Sequence, residues 1–248
     1  MKTTTIFLSL CFLSLGTIAQ DAKEIIRRAE EKMRGKESAY MEMTINTVRP
    51  KWERSMSMKS WSKGDDYNLM VLTAPAKDAG TAFLKRDKEV WNWVPSIERS
   101  IKMPPSMMMQ SWMGTDLKND DLVRESSNVT DYEHEVIGDS IIDGRKCWKV
   151  QLIPKPEAPV VWGKIVAFVD QKDYVQLLAH QYDEDGFLVN TIKAGNVKEM
   201  DGVVMATKME FIPAEKEGHK TVMVIDKIKF NESYDDNFFT VQNMKMIR

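Results

Sequence analysis

Residues 187–212 read FLVNTIKAGNVKEM-DG-VVMATKMEFI, two runs of strand-forming residues that meet at Asp201-Gly202. An Asp-Gly pair suits a tight hairpin turn, because both positions tolerate the positive φ such a turn requires. Asp143-Gly144 and Asp185-Gly186 stand in the same relation to the runs on either side of them. Strands joined this way must be antiparallel. Working outward, period-two alternation recurs. Met41, Met43 and Ile45 alternate with Glu42, Thr44 and Asn46, and Trp52, Met56 and Met58 with Glu53, Ser55, Ser57 and Lys59. Further strands are predicted near 67–73, 81–86, 89–94, 97–103, 132–142, 146–153, 160–169, 174–182, 187–199, 203–212 and 220–230. About a dozen antiparallel strands in succession form one meander, and a sheet that wide curls towards a barrel or half-barrel. The predicted class is mainly β with a few helices: a curled antiparallel sheet, half-open, with helices over its mouth.

Two helices are expected. Asp21 caps the first, which runs to Arg34 with Ile25, Ile26, Ala29 and Met33 on one face, and Gly35 ends it. The second follows the one break in the alternation, from Met103 to Ser127. Pro104-Pro105 stops the strand there, and Thr115-Asp116 caps a helix through Leu117 and Leu122 to about Glu125.

The N-terminus predicts export. Lys2, the apolar run Ile6–Leu15 and the small residues around Ala19 have the layout of a secretory signal, with cleavage after Ala19. One domain is expected over residues 20–248, soluble in the periplasm and without a lipid anchor. Cys11 leaves with the signal, so Cys147 has no partner for a disulfide and reads as a core thiol. With 35 Lys and Arg against 37 Asp and Glu, the formal net charge is −2, and no basic block suits a nucleic-acid partner.

Chemistry has little to work with. His134, His180 and His219 lie far apart in sequence, and no nucleophile elbow or phosphate loop is present. No cofactor, metal or enzymatic activity is expected. The break in the meander is richer: Trp91–Leu122 reads WNWVPSIERSIKMPPSMMMQSWMGTDLKNDDL. Methionine is polarizable and adapts to varied apolar shapes, so a Met- and Trp-rich stretch suits a greasy ligand. The predicted cavity or lid residues are Trp91, Trp93, Arg99, Met107, Met108, Met109, Trp112 and Met113, with Met41, Met43, Met56 and Met58 from the strands. Three consecutive methionines cannot all enter one core, so some are expected to face a cavity or solvent. Arg99 falls on the apolar side of Ile97, Ile101 and Met103 and therefore needs a partner: an acid such as Asp116 or Asp120, backbone carbonyls, or a ligand headgroup.

Trp91-x-Trp93-x-Pro95-x-x-x-Arg99, Gly114-Thr115-Asp116-Leu117 and Asp120-Asp121-Leu122 resemble the signature of LolA-like outer membrane lipoprotein-sorting proteins. The resemblance implies a periplasmic half-barrel lidded by helices that holds acyl chains of lipoproteins or free lipids. It implies an inner-membrane transporter of ABC or RND type as donor and an outer-membrane acceptor, with Arg99 as counterpart of an arginine that ties the lid shut. The alternative is a non-catalytic accessory module of an envelope export system.

Overall fold

The computed structural model describes residues 21–35, 37–123, 127–156, 158 and 160–247. The expected signal segment 1–19 lies outside them, as do Glu125 and the side chain of Met33.

Helix α1 spans Ala22–Arg34. Asp21 caps it by accepting from Lys23 N at 3.0 Å. Ile25, Ile26 and Ala29 are buried against the sheet. Gly35 closes it at φ 71°, where a Cβ would stand 2.6 Å from Ser38 O, so no larger residue fits.

Thirteen strands follow: β1 (Ser38–Arg49), β2 (Trp52–Lys63), β3 (Tyr67–Ala74), β4 (Ala82–Arg86), β5 (Glu89–Val94), β6 (Arg99–Met103), β7 (Tyr132–Ile142), β8 (Arg145–Pro154), β9 (Lys164–Asp170), β10 (Gln176–Tyr182), β11 (Leu188–Met200), β12 (Val203–Pro213) and β13 (Lys220–Phe230). Every pairing is antiparallel, as the Asp-Gly turns require. The order in the sheet is β6-β5-β4-β3-β2-β1-β13-β12-β11-β10-β9-β8-β7. The sheet is curled and not closed, and mostly β in content, as predicted.

The connectivity differs from the expected single meander. There are two meanders, β1–β6 and β7–β13, sewn together where the first and last strands pair, for example Met43 with Ile225 and Ile45 with Met223. Strands β6 and β7, consecutive in sequence, are therefore the two opposite edges. The segment between them must cross from one edge to the other. Its apolar residues Met108, Trp112, Leu117 and Leu122 share one core with Met43, Ile45, Met56, Met58, Phe83 and Val90 of the sheet and with α1. The crossover and α1 thus cover the same, concave face.

The opposite face has its own covers. Leu69, Val71, Ala82 and Leu84 pack beneath Phe239 and Met244 of the C-terminal segment, which ends in α3 (Val241–Met246). Cys147 is fully buried with Val166 and Phe168, and burial pushes its thiol pKa up. Among the described residues no helix is long and apolar enough to cross a membrane.

Candidate functional site: a cavity beneath the edge-to-edge crossover

The crossover folds back on itself before it reaches β7. Trp112 N donates to Leu117 O at 2.8 Å, Asn119 N to Gln110 O at 3.0 Å, and Asn119 Nδ2 to Met107 O at 2.8 Å. These bonds fan the three methionines apart: Met108 is buried, Met107 is half-buried against the core, and Met109 is 56 % exposed. Trp112 is fully buried, its ring 5.9 Å from that of Phe83. Met113, half-buried, takes a left-handed φ of 48°, and its carbonyl accepts from Arg54 Nη1 at 3.3 Å.

Asp116 locks this fold to the seam of the sheet. Its Oδ2 accepts from Arg49 Nη1 at 2.8 Å and from Thr221 Oγ1 at 2.8 Å, while its N–H donates to Thr221 Oγ1 at 2.9 Å. The Arg49 guanidinium also donates to the carbonyls of Val48, Gly114 and Lys220. Arg49 ends β1 and Thr221 opens β13, so the pair clamps the crossover to the first and last strands. The partner of Asp116 is Arg49, not Arg99. Arg99 does share the face of Met103, since Val94 opposes Arg99 and Val90 opposes Met103 across β5–β6. On an edge strand nothing covers that position, and Arg99 is exposed and makes no ion pair among the described residues. Alternation assigns the face of a side chain; it carries no information about the edge.

Committing Asp116 to Arg49 also shortens the expected helix. It does not begin at Thr115-Asp116: α2 spans only Asn119–Val123, and the carboxylate that supports its start is Asp121, accepting from Lys118 N at 2.7 Å. Asp120 is buried beside it.

Beneath α1 and α2 the core is incompletely filled. A cavity of about 200 Å³ is bounded by Ala29 of α1, Asp120 and Asp121 of α2, Trp162 ahead of β9, Gln181 of β10, Ile192 and Ala194 of β11, Met205, Met209 and Phe211 of β12, and Met223 of β13. A smaller space of about 80 Å³, walled by Met41, Met43, Met70 and Leu122, meets the same Asp121 and Met223. Of the predicted residues, Met41 and Met43 reach this smaller space, whereas Met56 and Met58 are sealed in the core. Trp91 and Trp93 point the other way, onto the face under the C-terminal segment, with Lys245 Nζ 5.6 Å from the Trp93 ring. Alternation puts them opposite Val90, which belongs to the concave core. Apart from Asp120, none of the residues lining the larger cavity was anticipated; the spacing Met205, Met209, Phe211 is that of a buried face, but does not tell that this face stops short of what covers it.

The acids at this cavity are perturbed. Burial pushes the Asp121 pKa up to about 6, and the neighbouring Asp120 charge adds to the shift, while the Lys118 N–H and the Trp162 indole oppose it. Asp121 is half-buried and opens onto the cavity. Tyr132, whose hydroxyl donates to Trp162 O at 3.4 Å, is also shifted up, by burial first and then by Asp120. Among the described residues no group of three His, Cys, Asp or Glu converges to hold a metal.

Comparison with known proteins agrees with this architecture. A DUF1329 family protein from Desulfovibrio piger superposes with a TM-score of 0.81 at 23 % identity, over 90 % of this chain and 97 % of that one. A LolA superfamily protein from Nitrosomonas europaea gives 0.78 at 23 % identity, over 90 % and 98 % of the two chains. A domain from Vibrio parahaemolyticus named for outer membrane lipoprotein sorting gives 0.78 at 21 %, over 90 % and 98 %. At such identities the likeness is one of fold. No curated protein matches the chain. A family model described as "Uncharacterized protein" matches residues 64–246, well over half of the chain. The chain belongs to that family, and it shares its fold with these three structures.

Proposed function

We propose that this chain is a periplasmic carrier that shields acyl chains of lipids or lipidated proteins in the cavity beneath α1 and the crossover, and makes or breaks no bond. It works as a single domain of residues 20–248 after removal of the export signal, receives cargo from an inner-membrane transporter and passes it towards the outer membrane. The observation that carries the proposal is the unfilled, Met-lined space of about 200 Å³ between a half-open sheet and its helical cover. Since an engineered apolar cavity of roughly 150 Å³ takes up benzene, this one admits on the order of six carbons. At about 0.8 kcal/mol per methylene that contributes roughly 5 kcal/mol, a sub-millimolar affinity. A whole acyl chain needs more room, and the segment to displace is the crossover, held at one end by Arg49–Asp116. The resting structure is then the closed state of the carrier.

The test is native mass spectrometry of protein purified from cells, expected to show a lipid adduct, with a thermal shift on adding dodecanol. Protein free of adduct that also ignores dodecanol defeats the proposal. A second reading has its own observation. Trp52, 51 % exposed, and Phe187, 69 % exposed, stand at the rim beside Arg49 and would suit docking to an ABC- or RND-type export complex. Crosslinking in cells separates the two, since Phe187→Ser would then remove a partner without removing bound lipid.

A further inference from the structure

The cavity that carries the proposal above has both apolar and polar walls. Asp120 and Asp121, consecutive on α2, both border it. Helix capping accounts for one oxygen, Asp121 Oδ2, which accepts from Lys118 N. Asp120, buried beside it, borders the same wall. Two buried nitrogen donors border the cavity as well. Trp162 is 5 % exposed and its indole N–H completes no hydrogen bond, although it lies close enough to favour the ionised form of Asp121. Gln181 is 5 % exposed; its Oε1 accepts from Asn190 Nδ2 at 3.4 Å, and its NH2 has no protein partner among the described residues. Buried donors are nearly always satisfied, so open ones on a cavity wall await a ligand group. The charged side chains at the cavity are Glu30, Lys32, Asp120 and Asp121, an excess of acid. Lys118 and Tyr132 also act on the pair from its own segment and from β7.

We propose that this cavity selects amphiphiles whose apolar chain ends in an ammonium group beside a hydrogen-bond acceptor, and rejects the carboxylates of free fatty acids. The chain lies along Met209, Phe211 and Met223. The ammonium meets Asp120 and Asp121, and the acceptor meets the N–H groups of Trp162 and Gln181. A carboxylate in the same place would face the acidic pair and lose its hydration, with Lys32 the one cation at the wall against Glu30, Asp120 and Asp121. The inference rests on the carrier reading and names its cargo class.

The experiment compares three ligands with one chain, dodecylammonium, dodecanol and dodecanoate, by calorimetric titration of the unaltered protein at pH 7.5. Dodecylammonium is expected to bind at least about tenfold more tightly than dodecanoate, with dodecanol between, because the first forms a charge-assisted hydrogen bond where the last meets like charge. In Asp120→Asn/Asp121→Asn the difference should shrink to roughly threefold or less, with dodecanol unchanged. Equal binding of all three, or preference for dodecanoate, overturns the inference and leaves the carrier reading intact. Binding of none overturns both. The ligand series on unaltered protein decides even where the double variant fails to fold, and the single Asp120→Asn gives the second reading of the charge.

Discussion

Breaking the Arg49–Asp116 pair should loosen the crossover before it unfolds the sheet. The two side chains are 9 % and 5 % exposed, so each charge depends on the other for most of its stabilisation. Arg49→Met leaves Asp116 with the Thr221 hydroxyl and its uncompensated charge, a change that costs about 3–5 kcal/mol at buried pairs. Asp116→Asn is milder. Arg49 keeps the carbonyls of Val48, Gly114 and Lys220, and the amide that replaces the carboxylate still offers an acceptor oxygen, so about 2 kcal/mol is expected. If the loss were global, Arg49→Met would lower Tm by roughly 10 °C in a chain of this size. If it is local, hydrogen exchange over 104–123 accelerates first, starting with the Trp112 N–H bonded to Leu117 O. The apolar double variant Arg49→Met/Asp116→Leu should lose less than Arg49→Met and Asp116→Leu taken singly and summed, because no charge is left stranded. Peptide-resolved exchange and urea unfolding read both quantities. Unchanged exchange in 104–123 in Arg49→Met, or strict additivity in the double variant, refutes the clamp.

Three further outcomes follow from the same geometry. Asp121 has a folded-state pKa of about 6 against an ordinary 3.8, so the folded state holds its proton more tightly. That contribution is complete below about pH 4 and is lost as pH rises through 6, so Tm should decline over this window. Asp121→Asn should flatten the decline and stabilise the protein at pH 7 by about 1–2 kcal/mol, allowing for the water the cavity admits; a destabilised Asp121→Asn contradicts the assignment. Trp112→Ala removes a fully buried ring packed on Phe83 and should cost about 3–5 kcal/mol in urea unfolding. A loss under about 1 kcal/mol would place Trp112 on a surface that is open at rest. Ala194→Leu fills part of the cavity and should weaken dodecanol binding by about tenfold with Tm held or raised. A fall in Tm without loss of binding would mean the space is not where the chain goes.

On the carrier reading proposed above, the Asp120–Asp121 pair has a use: two adjacent acids at the cavity destabilise the structure seen here, and the same cost would lower the work of opening it.

The antiparallel strands were legible because each needs only local information: period-two alternation and an Asp-Gly turn between neighbours. That is why β12 and β13 appear at 203–213 and 220–230, almost where their patterns end. The capping of α1 by Asp21 and its end at Gly35 were legible for the same reason. What the alternation could not carry was closure. Pairing of β1 with β13 joins residues nearly two hundred positions apart, and that one pairing turns β6 and β7 into edges. Edge position then left Arg99 in solvent, and the crossover between the edges delivered Asp116 to Arg49, while the C-terminal segment came to cover the face to which alternation turns Trp91 and Trp93. A sequence records which residues share a face of a strand. Which face is covered, by what, and how completely depends on where distant segments come to rest, and the cavity is the part of the concave face that they leave unfilled.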